Sequence, residues 1–392
     1  MRYVGIDVGA EAHVVAAVDG EEQVLLRPLQ FAESAEGYGH LFERLGAPED
    51  TLVAMEATGH YWKNLFAALI ARGFAVALLN PLRTRRFAEE DLQRTKTDAI
   101  DALGIARFAR QKRPAASRLP DAATDELREL VRLRERLVQA FGDRVRQLHR
   151  LVDLGFPEFT RHVRDLGSQR ATALLAAFPT AHAFRSASVS RVAKLPSDER
   201  HKIGRPLALA LIEAAQRSVG AHHGEAYRLH VRTVCEHLDL LRRQIRSLEG
   251  DIARHLDGHE VGKLLTTIDG IGTHTAARLV AELGDPADFA SAAALASYVG
   301  VIPGLRHSGK RTPMRAGLAP VGHARLRAAL WMPTLAAVRR NPWLRAYYQR
   351  LRAHGKPPKL ALVAAMRKLL IAVHTVARTR RPFLHLEATT AE

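Results

Sequence analysis

The chain has 392 residues, with 58 Lys and Arg against 41 Asp and Glu, for a formal net charge of +17. That length fits two or three domains, and a 47% hydrophobic composition excludes global disorder. One cysteine, Cys235, excludes both a disulfide scaffold and a cysteine zinc site.

An isoelectric point near 10.6 points to nucleic acid as the partner, because Lys and Arg replace the counterions along phosphates. The basic residues are spread over long helical stretches rather than gathered in one juxtamembrane cluster, which disfavours a membrane partner. The N-terminus shows no signal-peptide pattern, since Asp7 interrupts its apolar start. The apolar stretch from Ala171 to Phe184 is too short to span a bilayer. A soluble cytoplasmic protein is expected.

In chain order, Tyr3–Asp7 and His13–Val18 read as paired strands, and Val24–Phe31 as a third. Ser34 suits the N-cap of a helix running to Leu45. Thr51–Met55 reads as a buried strand, His60–Arg72 as a helix stopped by Gly73, and Phe74–Leu79 as another buried strand ending at Asn80-Pro81. Short buried strands separated by helices predict an α/β layer fold. Beyond it, Asp125–Asp153 carries an apolar helical stripe, and Leu238, Leu241, Ile245, Leu248 and Ile252 repeat at heptad spacing. That spacing favours coiled-coil pairing, within one chain or between two. From Gly262 to about Arg378 the chain reads as helices with tight turns, and Leu384–Glu392 as a frayed tail.

Four acids carry the first chemical signal. Asp7 ends the first apolar run, Glu56 ends a later one, and Asp98 and Asp101 lie three apart on a helix, which puts them on one face. Two strand-end carboxylates and a helical pair are the layout of an RNase H-like nuclease core. Two divalent ions about 4 Å apart hold the attacking and leaving oxygens of a phosphoryl displacement, and hard cations prefer such oxygen ligands. Taken singly, each acid is an ordinary surface carboxylate. Gly5-Ile6-Asp7-Val8-Gly9 also resembles the phosphate strand of sugar kinases and actin-like ATPases, but that class needs a second glycine-rich phosphate loop, which is not found.

Two further motifs lie downstream. Ile268-Asp269-Gly270-Ile271-Gly272 resembles the turn of a helix-hairpin-helix. Its glycines Gly270 and Gly272 allow positive φ and would aim backbone N–H groups at a phosphate; a plain packing corner is the competing reading. Ser308 sits in a loop among Arg306, His307, Lys310 and Arg311. Those cations suit a phosphate, while the serine by itself reads as a turn residue. Basic and aromatic residues interleave from Trp331 to Arg352, as in surfaces that contact phosphates and stack on bases.

In this order the motifs resemble the bacterial insertion-sequence transposases called the IS-one-ten or DEDD family, with the pilin-gene DNA invertase as a relative. The resemblance rests on Gly5–Gly9, on Met55–Trp62, on Lys96–Ala102, and on Ile268–Gly272. It also rests on Tyr298–Pro303, Ser308-Gly309, Leu326–Leu330, Asn341-Pro342 and Met366–Leu370. It implies a RuvC-like domain over 1–118 and a helical coiled-coil linker over 119–258. It further implies a mainly helical transposase domain over 259–380, with a tail over 381–392. It gives Asp7, Glu56, Asp98 and Asp101 the metal-binding catalytic positions and Ser308 that of a nucleophile. Mg2+ is the implied cofactor, with Mn2+ as a substitute. The implied partners are DNA (element ends and target), a noncoding bridge RNA and further copies of the chain in a dimer or tetramer. Leu318-Ala319-Pro320-Val321 departs from the polar approach usual before the Gly-x-x-x-Leu-Arg segment, so a phosphate contact there is in doubt. Two other readings stand beside the recombinase: a Holliday-junction resolvase-like nuclease using metal-activated water, and a non-catalytic nucleic-acid-binding protein with structural acids.

Overall fold

The computed structural model describes residues 1–90, 97–117, 121–198, 200–306, 314–318 and 322–384. The chain divides into two compact units, Met1–Leu119 and Pro120–Glu392.

The first unit is built on a five-stranded sheet of β1 (Arg2–Asp7), β2 (Ala12–Val18), β3 (Val24–Ala32), β4 (Thr51–Glu56) and β5 (Ala75–Leu79), in the order β3-β2-β1-β4-β5. The meander β1–β2–β3 is antiparallel, whereas β4 and β5 run parallel to β1. Four helices accompany the sheet: α1 (Ala35–Leu45), α2 (Trp62–Ala71), α3 (Pro81–Glu90) and α4 (Asp98–Lys112). Ser34 caps α1, as its sequence position suggests, by accepting from Gly37 N–H.

Side chains alternate across a strand, and the unit has a core on each face. On one face Val4, Ile6, Val53 and Met55 pack with Leu41 and Leu45 of α1 and with Leu65, Phe66 and Leu69 of α2. On the other, Tyr3, Leu52, Ala54, Ala77 and Leu79 pack with Ile105, Ala106, Phe108 and Ala109 of α4. Gly5 makes that second contact close. A Cβ there would come within 2.2 Å of the Ala102 carbonyl oxygen and 2.3 Å of Ala106 N.

The second unit is dominated by two long helices, α5 (Ala122–Gly155) and α11 (Glu225–Asp257). They lie antiparallel, as two polar contacts show. Arg134 meets Glu249 near one end, and Gln147 meets His230 near the other. At the Gln147 end they share a core with five short helices: α6 (Phe159–His162), α7 (Gln169–Ala177), α8 (Ala181–Arg185), α9 (Val189–Ala193) and α10 (Arg205–Gln216). At the other end, Leu127, Val131, Ile252 and Leu256 join the C-terminal core. The heptad stripe is therefore used for pairing within the chain. Its middle, Leu241, Ile245 and Leu248, is only half-buried.

The C-terminal core gathers α12 (Glu260–Leu265), α13 (Thr273–Leu283), α14 (Ala292–Val299), α15 (Ala324–Arg340), α16 (Pro342–Ala353) and α17 (Pro358–Thr379). Helix α17 is long and apolar enough to cross a membrane, yet Ala365, Met366, Leu369, Leu370 and Val373 are buried in this core. The expectation of helices and turns alone is corrected by an antiparallel pair, β6 (Pro303–Arg306) and β7 (Met314–Leu318).

Candidate functional site at the edge of the N-terminal sheet

Asp7 and Glu56 end neighbouring parallel strands. Tyr3 pairs with Leu52, Gly5 with Ala54 and Ile6 with Met55, so the next step along both strands is Asp7 beside Glu56. Alternation then puts both on the face that carries Tyr3, Leu52 and Ala54, which is the face packed by α4. Asp98 and Asp101 lie in the first turn of α4. Thr97 caps that turn by accepting from Ile100 N–H, at 3.3 Å. Gly5 lies against Ala102 and Ala106, and Arg110 near the other end of α4 bonds Gly20 and Glu22, just beyond Val18, which pairs with Tyr3 at the start of β1; α4 therefore runs back along β1. Its acidic first turn therefore sits towards the strand end that carries Asp7.

Asp7 and Glu56 thus lie at one end and on one face of the sheet, and α4, whose first turn carries Asp98 and Asp101, packs on that face. Asp7, Glu56 and Asp101 are half-buried and Asp98 is exposed. Among the described residues, no three His, Cys, Asp or Glu side chains are drawn together closely enough to hold a metal ion. The donor set itself, four carboxylates with no sulfur or imidazole, has the hard-oxygen chemistry that suits Mg2+.

Glu56 is held by hydroxyls. Thr84 of α3, buried, donates to its Oε1, and Thr58 donates to Oε2 at 3.4 Å. Thr58 falls within the Met55–Trp62 motif, whereas Thr84 is not singled out by sequence pattern. Thr84 lies in Leu82-Arg83-Thr84-Arg85-Arg86, a run with no apolar periodicity.

In the second unit, the turn between α12 and α13 uses positive φ at Gly270 but not at Gly272, which corrects the expectation for the second glycine. Gly270 has φ +99, and a Cβ there would lie 2.4 Å from the Ala337 Cβ. Gly272 has φ −85 and is the N-cap of α13, with open space where its Cβ would be. Helix α13 has no side-chain cap, so its first N–H groups lack the partner that a Ser or Asp cap would provide.

Ser308, Lys310 and Arg311 lie outside the described residues, and Arg306 is described only as the last residue of β6. The base of their segment is well defined. Val301 N–H donates to the Ala296 carbonyl at 2.8 Å and His323 N–H to the Tyr298 carbonyl at 3.0 Å. Gly322 has φ +123, and a Cβ on it would lie 2.4 Å from the Gly300 Cα. The chain leaves the helical core and returns to it at one point.

A charged cluster sits beside that point. Glu282 of α13, whose side chain is 4% exposed, faces Arg132 at 3.3 Å, His323 at 3.3 Å and Arg325 at 3.6 Å. Arg325 also pairs with Glu135 at 2.5 Å. Glu135 meets Arg278 at 2.6 Å, without hydrogen-bond alignment at the Arg278 Nε. Burial pushes the Glu282 carboxyl up, but hydrogen bonds from His323 and Arg132 and the charges of Arg132 and Arg325 bring it down to about 2. His323 turns its other nitrogen to α15, where Nδ1 accepts from Leu326 N–H at 3.2 Å and caps the helix.

Comparison with known proteins adds a second line of observation. Residues 4–157 match a family described as transposase, of the DEDD IS110 type. Residues 262–349 match the family described as transposase IS116/IS110/IS902. The chain is 28% identical to the insertion element IS110 uncharacterized 43.6 kDa protein of Streptomyces coelicolor, over 96% of this chain and 94% of that one. It is 26% identical to the pilin gene-inverting protein of Moraxella bovis, over 84% of this chain and 80% of that one. It is 27% identical to the mini-circle putative transposase for IS117 of S. coelicolor, over 97% and 95%.

Proposed function

We propose that this protein, a transposase of the IS110 family carrying both of that family's matched domains, cuts and rejoins DNA with a metal-assisted acidic site and a serine nucleophile. The observation that supports the reading is that Asp7 and Glu56 end neighbouring parallel strands, one step beyond the Ile6–Met55 pair, on the sheet face packed by α4, whose first turn carries Asp98 and Asp101. The strand order β3-β2-β1-β4-β5 supports an RNase H-like assignment for this unit.

Asp7, Glu56, Asp98 and Asp101 would hold Mg2+, or Mn2+ in its place. Bound there, the metal would neutralise charge on a scissile phosphate and favour an oxygen nucleophile. The Ser308 Oγ would attack phosphorus. An Oγ–P bond forms as one P–O bond to deoxyribose breaks, and the leaving oxygen takes up a proton as a sugar hydroxyl. The phosphoserine diester conserves the bond energy, so attack by a DNA hydroxyl regenerates Ser308 and rejoins the strand. Arg306, Lys310 and Arg311 would neutralise the phosphate around that serine. The uncapped N-terminus of α13 behind Gly270 and Gly272 would hold a second phosphate without reading sequence.

DNA is the substrate, as element ends and target. The +17 charge suits a second polyanion, and a structured bridge RNA is the partner that the family resemblance suggests. A homo-oligomer, dimer or tetramer, would use the half-buried middle of the α5–α11 pair.

The test is chemical. Wild type incubated with element-end DNA and Mg2+ should give a covalent protein–DNA adduct on denaturing gels, and Ser308→Ala should give none. Asp7→Asn should lose cleavage by more than the roughly 100-fold typical of disturbing a metal site's outer shell, with DNA affinity retained. An adduct from Ser308→Ala at the wild-type level would remove the serine, and full cleavage by Asp7→Asn would remove the acidic site.

A further inference from the structure

On the opposite face of the sheet from α4, behind the strand end that carries Asp7, lies a closed polar network of four side chains. His13 of β2 is 1% exposed. Its Nδ1 accepts from Gly9 N–H at 3.3 Å, and its Nε2 meets Glu33 Oε2 at 2.5 Å. A nitrogen that accepts from an amide carries no proton, so the ring proton is on Nε2 and is donated to Glu33. The carboxylate of Glu33 is in turn fixed by two other elements. Tyr38 of α1 donates to its Oε2 at 2.6 Å, and Asn64 of α2 donates to its Oε1 at 3.0 Å. Burial pushes Glu33 up, but the bonds from Tyr38, His13 and Asn64 outweigh it and hold the carboxyl below its ordinary range. Glu33 is thus an anion whose acceptors are occupied.

The network ends on the turn that follows Asp7. Gly9 N–H is held by the His13 ring, and Glu33 N–H donates to the Glu11 carbonyl at 3.0 Å. The turn is too tight for a side chain at Gly9, where a Cβ would lie 2.3 Å from the Ala12 carbonyl oxygen. Asn64, at the far end, sits on the helix that follows Glu56, so the chain leaving both acid-bearing strands is tied to one carboxylate.

We propose that His13 is a positioning residue for Asp7: its Nε2-protonated ring, oriented by Glu33, fixes the Gly9 turn and thereby the direction in which the Asp7 carboxylate is presented. This rests on the reading of Asp7 as a metal-holding acid. A simple fold staple would need His13 only to fill space and bond Glu33. The positioning role needs the acceptor at Nδ1. Two isosteres separate these requirements. Asn keeps an acceptor near the Nδ1 position and loses the reach to Glu33. Gln keeps a donor near the Nε2 position and loses the acceptor for Gly9.

The experiment measures Mn2+ binding to the full-length protein by electron paramagnetic resonance, and the Mn2+ concentration that half-saturates DNA nicking. His13→Gln should weaken Mn2+ binding and raise the half-saturating concentration by about 10- to 100-fold, the usual cost of disturbing a metal ligand's support. DNA affinity should stay unchanged. His13→Asn should recover most of the loss. Equal losses in the two variants, or wild-type Mn2+ binding in His13→Gln, would overturn the positioning role. Asp7→Asn run alongside tells the two failures apart. If it binds Mn2+ normally, the acidic-site reading fails and takes this proposal with it. If it loses Mn2+ while His13→Gln does not, only His13 is wrong. Should both His13 variants misfold, the imidazole 15N shifts of the wild type decide. A protonated Nε2 and bare Nδ1 support the assignment, and the reverse tautomer overturns it.

Discussion

Glu56 in the first unit and Glu282 in the second are both carboxylates drawn out of bulk water, and the molecule holds them in opposite ways. Thr84 and Thr58 donate hydroxyls to Glu56. Glu282 is surrounded by Arg132, Arg325 and His323. A hydroxyl orients a carboxylate and leaves its negative charge to attract something else. A guanidinium orients it and cancels the charge. The first arrangement suits a group that must meet a cation from outside, and the second suits a group that joins helices. Glu282 links α5, α13 and the start of α15, beside the point where the Ser308 segment leaves the core. The second unit thus holds a carboxylate between cations where its helices meet, and the first holds one between hydroxyls at the end of its sheet.

The largest effect that would sharpen this contrast is expected from Glu282→Ala. Removing the buried carboxylate leaves Arg132 and His323 without it while Arg325 keeps Glu135; because the two guanidiniums are partly exposed, the cost is expected at the lower end of the range for breaking a buried pair, about 3 kcal/mol. Urea unfolding of the full-length protein should show that loss, and a change below about 1 kcal/mol would mean the cluster is not a structural joint. The pH dependence has a definite sign. Glu282 titrates at about 2 in the fold and near ~4.3 when unfolded. Its depressed value contributes stability that is complete above the unfolded value and is lost as pH falls from about 4 towards 2. The acid limb of the stability curve should flatten over that window in Glu282→Ala.

The contrast also explains what the sequence makes legible. The strands β1, β2, β4 and β5 read well because each is a short apolar run, and the ends of β1 and β4 place Asp7 and Glu56 without knowledge of the fold. The pair Asp98 and Asp101 is visible because helical spacing puts both on one turn. Helix α3 is missed because Pro81–Glu90 has a single buried residue, Thr84, and no apolar stripe. Its contribution to Glu56 is a tertiary contact across 28 positions, for which there is no local signal. His13 reads only as the start of a strand, since the residues of its network come from later in the chain: Glu33 from the link after β3, Tyr38 from α1 and Asn64 from α2. The strands β6 and β7 are hidden by Pro303 and Gly304, which read as turn. The two long helices announce their apolar stripes, but periodicity does not say whether the partner is the same chain.

An effect of similar size belongs to the turn before α13. Gly270→Ala puts a side chain at φ +99, 2.4 Å from the Ala337 Cβ. Left-handed strain and overpacking each cost about 1–3 kcal/mol, so about 3 kcal/mol is expected. Gly272→Ala meets open space at a negative φ and should change stability by only a few tenths of a kcal/mol, the small step from Gly to Ala in permissive backbone. If α13 holds a phosphate, however, the added methyl crowds its approach. Unchanged stability with weakened DNA binding at low salt is the outcome expected of Gly272→Ala, measured by unfolding and by filter binding on one preparation. Unchanged DNA binding would reduce the motif to a packing corner.

The smallest effect tests the contrast most directly. Thr84→Val keeps the shape of the side chain and deletes the hydroxyl that reaches Glu56. A single hydrogen bond to a charged group contributes about 1.5–3 kcal/mol at most. Because Glu56 is half-open to water, which can replace the donor, the stability loss should be near 1 kcal/mol. The functional loss should exceed that share. A carboxylate released from its orienting donor still carries its charge, so the site should still attract a cation but hold it less well, by about 10-fold in Mn2+ affinity. Thr84→Ser, which restores the hydroxyl, should return that affinity. If Thr84→Val lost stability like a core mutant and bound Mn2+ normally, Thr84 would be a packing residue. The hydroxyl-held carboxylate would then cease to distinguish the N-terminal sheet edge from the arginine-held joint around Glu282.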